Sequence, residues 1–305
     1  EACALRFRAE PALRVGLVDR VVHVIADPDR PTRNLMTFSR TPEEVLAGAG
    51  SRYAASSPLE QIQQLLTDGK RFAFVGKPCD VSAFRRLARL DERVGALSPL
   101  VLSFFCGGLP SHAGADRVVA AMGFDPLELT EFRYRGMGWP GKAREVTRDG
   151  AIGELSYAES WGDYLSKEVQ FRCKICPDAV GGVADLAFAD AWHGDEDGYP
   201  RFDETDGRSL IVARTAVGVK ILADAAAAGA LSFEPLPIDE VDRMQPAQAR
   251  RKRLVRSRMA ALTATVQPKP RVPGVGVRDA ARRATIGEQF RSFVGTVRRI
   301  LTDAR

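Results

Sequence analysis

Four cysteines stand where thiols can do chemistry. Cys173-Lys-Ile-Cys176-Pro177 sets two thiols three positions apart, so that both can reach one metal centre from a single tight turn. Alone, this CxxC pair has three readings: a redox dithiol, half of a zinc site, or half of an iron–sulfur site. A redox dithiol of the thioredoxin kind opens a helix directly after an early strand. This pair instead follows YLSKEVQFR in mid-chain. A four-thiolate zinc site or a [4Fe–4S] cluster needs two more thiols, and Cys79 and Cys106 can supply them. The plainer reading of those two is that they are small buried hydrophobes. Cys3 stands alone and is read as incidental.

The segments that must position these thiols are readable. VGLVDRVVHVIA (15–26) is β-branched and apolar, and reads as a buried strand. TPEEVLAGAG (41–50) and SPLEQIQQLLTDG (57–69) carry helix-start signals, with Thr41 or Ser57 as N-cap, a proline next and a glutamate at the capping-box position. Then come strand RFAFVG (71–76), loop KPCD and helix VSAFRRLARL (81–90), followed by strand PLVLSFF (99–105), loop CGGLPS and a helix from His112 to Met122. Two strand–Cys loop–helix units argue an α/β fold (α+β mixed) around a mixed sheet, with Cys79 and Cys106 in equivalent loops where ligands of such sheets bind. A Gly-rich β insertion (127–158) follows, then strand VADLAFADAW (183–192) and a last β-α-β ending in LSFEPLP (231–237). The chain divides into an N-terminal α/β region (1–125), a region bearing the CxxC (126–242) and a basic helical tail (243–305) broken at PKPRVPGVG (268–276).

Composition sets the broad class. At 305 residues, 45% hydrophobic and 27% charged, the chain is globular and not disordered. Five cysteines, an odd number, do not suggest a disulfide framework. No apolar run is long enough to span a bilayer and no signal peptide is visible, so a reducing, cytoplasmic setting is expected. The net charge of +5 hides an asymmetry: residues 243–305 hold 16 Lys/Arg and 3 Asp/Glu, while residues 1–242 carry a net −8. RRKRLVRSR (250–258) could contact nucleic acid or an anionic membrane, but Leu254, Val255, Met259 and Leu262 form an apolar stripe and stacking aromatics are few. Docking on the acidic body, or steering an acidic redox carrier, needs fewer assumptions.

GKPCD (76–80), FFCGGLPS (104–111), YRGMGWPG (134–141) and CKICPDAVGGVADLAFADAW (173–192) together resemble the coenzyme F420 hydrogenase/dehydrogenase beta-subunit family. GAGSRYAASSPL (48–59) and DGRSLIVART (206–215) extend the resemblance, which runs from about residue 15 to about residue 260. It implies an iron–sulfur flavoprotein oxidoreductase that binds FAD. Such a protein would pass electrons between a hydride-type partner, deazaflavin F420 or a similar molecule, and a one-electron carrier such as ferredoxin, with or without a partner oxidoreductase subunit. It further implies that Cys79, Cys106, Cys173 and Cys176 hold one [4Fe–4S] cluster. Two departures stand out. EACALRFRAEPALR replaces the Gly-rich opening that would help form the flavin site, and no ferredoxin-like run of closely spaced cysteines is present. The main alternative is a binding or scaffold protein held by zinc on the same four thiols.

The resemblance also suggests cofactor contacts. Lys77, beside Cys79, would sit near a flavin, where a cation favours the anionic reduced ring. The YRGMGWPG loop would lie near the flavin or its partner, with Arg135 contacting an anionic group, Trp139 stacking on a ring and Gly138 among the cofactor-binding residues. Asp190, in an ADAW resembling the family's GDAW, would orient a ligand or cap the next loop. Gly136-x-Gly138-x-x-Gly141 matches a dinucleotide fingerprint in letters, but Trp139-Pro140 and the following EVTRDG deny it the helix that motif needs. His23 reads as structural, His112 as a first-turn surface residue and His193 as a candidate to line the site. No Ser-His-Asp order or HExxH motif supports a hydrolase.

Overall fold

The computed structural model describes residues 12–195, 201, 203–272 and 274–302, so Cys3 lies outside the described residues. Among the described residues nine strands form two sheets: β1 (Arg20–Ala26), β2 (Asn34–Ser39), β3 (Phe72–Val75), β4 (Leu100–Phe104), β5 (Leu129–Arg133), β6 (Ala143–Thr147), β7 (Ile152–Leu155), β8 (Leu186–Asp190) and β9 (Ser209–Ala213). The larger sheet runs β2-β1-β3-β4-β8-β9. Its four central strands are mutually parallel, and β2 and β9 pair antiparallel at the two edges. This is the mixed sheet that the strand–loop–helix units imply.

Each central strand is buried on both faces, as parallel strands covered by helices must be. Side-chain alternation divides them. Phe72, Phe74, Val22 and Val101 meet Leu65, Val81 and Phe84 on one face, while Ala73, Val75, Leu100, Leu102 and Phe188 meet Ile221 on the other. Val45 of α1 (Pro42–Ala47) joins the second face, while α2 (Ile62–Asp68), α3 (Pro78–Leu87) and α4 (Glu92–Leu97) cover the first. Phe74 and Phe84 stack at 4.4 Å. Helix α5 (His112–Ala121) turns Ala115, Val118 and Val119 toward the small antiparallel sheet β5-β6-β7 and shares a core with Leu129, Phe132 and Ala143. The Gly-rich insertion is thus a three-stranded meander with its own core.

The remaining helices are α6 (Phe171–Lys174), α7 (Ala216–Ala227), α8 (Ile238–Met244), α9 (Pro246–Ala264), α10 (Val277–Arg282) and α11 (Ile286–Leu301). Three expectations need correction. LSFEPLP is not a strand, so the last β-α-β unit is only a β-α unit. Pro235 and Pro237 cannot donate to a ladder, and Phe233 and Leu236 are exposed rather than packed. The helix expected from Ser57 begins only at Ile62, with no side-chain cap, although Gly69 ends it in the left-handed conformation as its position suggests. Finally, α3 starts at Pro78 instead of residue 81, which moves Cys79 from the loop into the first helical turn.

Candidate functional site

Parallel β1, β3, β4 and β8 end at one edge of the sheet, and the cysteines gather there. Gly76 and Lys77 follow β3 and lead into the Pro78-Cys79 start of α3. Phe105 and Cys106 follow β4, where the Phe105 N–H donates to the Phe188 carbonyl (2.7 Å) and the Cys106 N–H to the Ala179 carbonyl (2.8 Å). The second bond ties the Cys106 loop to the segment just beyond the CxxC. Cys173 lies in the short helix Phe171–Lys174, and its neighbour Arg172 points a guanidinium at the Cys79 sulfur, 3.5 Å away. A Cβ built on Gly108 would lie 2.7 Å from Val169 and 3.6 Å from the Cys173 Cβ. Gly108 also holds φ +128°, so the two cysteine loops approach this closely because glycine stands between them.

None of the four thiols is in a disulfide. Burial pushes the Cys176 thiol up to about 11, and its contact with the Asp178 carbonyl only partly offsets this. Burial also raises Cys79, with Asp80 acting in the same direction and Lys77 and Arg172 opposing. Among the described residues no three His, Cys, Asp or Glu side chains stand in ligating arrangement around one point. The donor set is nonetheless a soft one. Four thiols from three neighbouring segments suit iron–sulfur or zinc and do not suit magnesium or calcium, and a bound metal would remove the thiol protons outright. The residue types and their grouping therefore fit a thiolate-held centre.

A cleft opens beside the cysteines, between the ends of β1, β3 and β4 and the loop 48–58. Val21, Val45, Val75 and Phe104 line its apolar wall, while Lys77, Asp80 and Arg52 supply polar groups. Cys106, Gly107 and Gly108 form part of the same wall, so one loop serves both the cleft and the cysteine group. Lys77 Nζ is held by Asp80 Oδ2 (2.6 Å) and Ser56 Oγ (2.9 Å). Arg52 donates to Asn34 Oδ1 and to the carbonyls of Phe132, Pro31 and Arg33, which fixes the loop that closes the cleft. An apolar wall with a few placed polar groups suits a flat ring system with a polar edge.

Arg135, Trp139 and Asp190 do not line this cleft. They form a second group at the β8 end of the same edge. Arg135 pairs with Asp190 in a buried ion pair (2.8 Å), and Trp139 Nε1 donates to the same carboxylate (3.0 Å). The anionic partner expected for Arg135 is therefore within the chain. Trp139 stacks on the Trp192 ring at 4.5 Å, and His193 meets Trp139 edge-on at 6.1 Å. Arg135 also lies over the Tyr157 and Trp192 rings. Gly138 and Gly141 belong to a turn that folds back on itself: a Cβ on Gly141 would overlap the Gly136 carbonyl. No helix opens in this loop, in keeping with the rejected dinucleotide fingerprint. His23 bonds Ser39 Oγ (2.8 Å) within the sheet and also faces the cleft. His112 is the first residue of α5, beneath its Ser111 cap.

Sequence reasoning missed the arginines of α9. Arg251 donates to the carbonyls of Cys106 (3.2 Å) and Gly107 (2.6 Å), and Arg258 donates to the Lys174 carbonyl. Ile175, between the two CxxC thiols, packs against Leu262 and Ile300. The apolar stripe of α9 was the available signal, since its Leu254, Val255 and Leu262 are all buried. The tail does dock on the body, but it does so mainly through loop carbonyls and apolar contacts. Asp242 is the acidic residue it meets, through Arg253 and Arg283.

These features define a mixed-sheet α/β protein with its cysteines grouped on loops at the carboxyl edge of the parallel strands. The chain belongs to the coenzyme F420 hydrogenase/dehydrogenase beta-subunit family: residues 9–64 match its N-terminal part and residues 69–239 its C-terminal part. It is 26% identical over 231 residues to the coenzyme F420 hydrogenase subunit beta of Methanococcus voltae, covering 72% of each chain. It is 28% identical over 175 residues to the chloroplastic 7-hydroxymethyl chlorophyll a reductase of Oryza sativa subsp. japonica, covering 57% of this chain and 36% of the reductase. The chain thus spans about a third of that reductase's length. Its fold is similar to a chain of the F420-reducing [NiFe] hydrogenase complex from Methanosarcina barkeri, with a TM-score of 0.61, 21% identity and coverage of 84% and 85%. No helix among the described residues is long and apolar enough to cross a membrane.

Proposed function

We propose that this chain is the electron-converting part of an oxidoreductase, with FAD in the cleft and one [4Fe–4S] cluster on Cys79, Cys106, Cys173 and Cys176. The observation that carries this reading is the shared loop: Cys106 to Gly108 are at once a wall of the cleft and one side of the cysteine group. Bound there, the flavin would exchange two electrons with a hydride-type partner, and the cluster would exchange them singly with a carrier. The chain's own contribution is placement. Lys77 presents a cation to the cleft from a position fixed by Asp80 and Ser56, and Arg52 holds the closing loop. Membership of a family with an F420 hydrogenase subunit supports deazaflavin as the hydride partner and a further oxidoreductase subunit as the protein partner. The basic tail supports an acidic one-electron carrier of the ferredoxin type.

Anaerobic purification followed by absorption spectroscopy and metal analysis tests this directly. A brown protein whose broad visible band bleaches with dithionite, with flavin bands above it, is the expected result. A colourless protein carrying zinc overturns it in favour of the scaffold reading. Turnover with ferredoxin should fall as ionic strength rises, and salt-insensitive turnover would remove the carrier part of the reading. Deleting residues 243–305 is the poorer test, because that segment also packs against Ile175.

A further inference from the structure

The tail brings the guanidinium groups of Arg250, Arg251, Arg258 and Arg299 close to one another. Arg258 is half-buried, and its pKa is pushed down to about 10 by burial first and then by the nearby charges of Arg299, Arg251 and Arg250. Among the described residues none of Arg172, Arg251, Arg258 and Arg299 is paired with an Asp or Glu. Arg299 Nε is buried without a hydrogen-bond partner. Massed cations away from water cost energy unless an anion offsets them. What these residues face is the cysteine group: Arg251 holds the Cys106–Gly107 carbonyls, Arg258 the Lys174 carbonyl inside the CxxC, and Arg172 the Cys79 sulfur.

We infer that Arg251 and Arg258, with Arg299 behind them, are positioning residues for the thiolate-held centre, forming a fixed cationic wall that sets its reduction potential and locks the Cys106 loop in place. The inference rests on the cluster assignment above, and goes beyond it by giving the tail a role at the site. Four thiolates on an iron–sulfur core carry net negative charge that becomes more negative on reduction. Fixed cations beside them favour the reduced state and raise the potential. The wall lies outside the matched residues 9–64 and 69–239, on a helix that those two matches do not reach.

The experiment is a dye-mediated redox titration of the anaerobically purified full chain, with iron and sulfide analysis and a thermal melt for each variant. R251Q and R258Q are expected to shift the cluster potential negative, and R251K to restore most of the shift. R299Q keeps the test open if the other variants misfold, because among the described residues the Arg299 guanidinium bonds only Thr296 in its own helix (3.4 Å), and it should move the potential the same way by less. Wild-type potential in R251Q, R258Q and R299Q at full iron content overturns the inference while leaving the cluster assignment standing. A potential in R251K equal to that in R251Q overturns it too, because charge would then not be the cause. A wild-type chain with no iron–sulfur cluster overturns the cluster assignment and this inference together.

Discussion

Arg135 and Asp190 are joined by two hydrogen bonds, Nη1 to Oδ2 at 2.8 Å and Nη2 to Oδ1 at 3.3 Å, in a place closed to water. The two residues are 55 positions apart, so their pairing fastens the YRGMGWPG turn to the end of β8. Trp139 donates to the same carboxylate, and the Gln245 amide donates to the Asp190 backbone carbonyl at 2.6 Å. Removing one partner of a buried pair leaves the other charged and unpaired, which costs about 3–5 kcal/mol. D190A should lower stability by that order, while R135M/D190L should recover much of it. Urea unfolding of the two variants and the wild type checks this. Equal losses in the single and double variants would show that the charge pair is not what holds the turn.

A second prediction concerns Glu145. It lies on β6 opposite Phe132 and Gly153, is fully buried, and neither carboxyl oxygen has a partner. Burial pushes its pKa up from 4.5 to about 7. The folded chain therefore keeps the proton through a window in which the unfolded chain releases it. This contribution is intact below the unfolded value, is lost as pH rises through the window, and is gone above about 7. The loss by pH 8 is about 3 kcal/mol. E145Q should flatten the fall in stability between pH 5 and pH 8, as read from denaturant midpoints. Parallel slopes for variant and wild type would count against it.

The thiol assignment predicts the same outcome for two cysteine variants. C79S and C176S should each lose most of the bound iron and sulfide and the visible colour at unchanged secondary structure, as measured by metal analysis and circular dichroism. A full cluster in both would refute the ligand set.

Gly108 offers a test of how the cysteine loops meet. Its φ of +128° is unfavourable to any side chain, and a Cβ there would press on Val169, next to the Pro110–Val169 bridge. G108A should cost about 1–3 kcal/mol in thermal or chemical unfolding. It should also reduce the iron content, since Cys173 stands on the far side of that contact. Wild-type stability would mean the loop is free to adapt.

How much of this was legible depends on sequence range. The strand–loop–helix units around Cys79 and Cys106 were readable because apolar runs such as RFAFVG and PLVLSFF end at glycine and proline within a few residues. LSFEPLP misled because its apolar residues alternate like those of a strand while its prolines deny the ladder, and Phe233 and Leu236 stay exposed. The start of α3 was missed because Pro78 stops a helix that precedes it but suits the first turn of one that follows. Lys77, read as a flavin contact because it is adjacent to a cysteine, lines the cleft. Asp190 and Arg135 were singled out as ligand contacts, yet local sequence cannot reveal that each is the other's partner. Arg251 lies 145 residues from Cys106 in the chain, and no local pattern links them.

Translation runs from the amino end, so all four cysteines are made well before Arg251 and Arg258. Until residues 246–301 have followed, Ile175 has no Leu262 or Ile300 to cover it, and the loop carbonyls of Cys106 and Gly107 lack their donors. Under the proposed cluster assignment the thiols would be open to iron and sulfide on that side until these helices form, and covered by them afterwards.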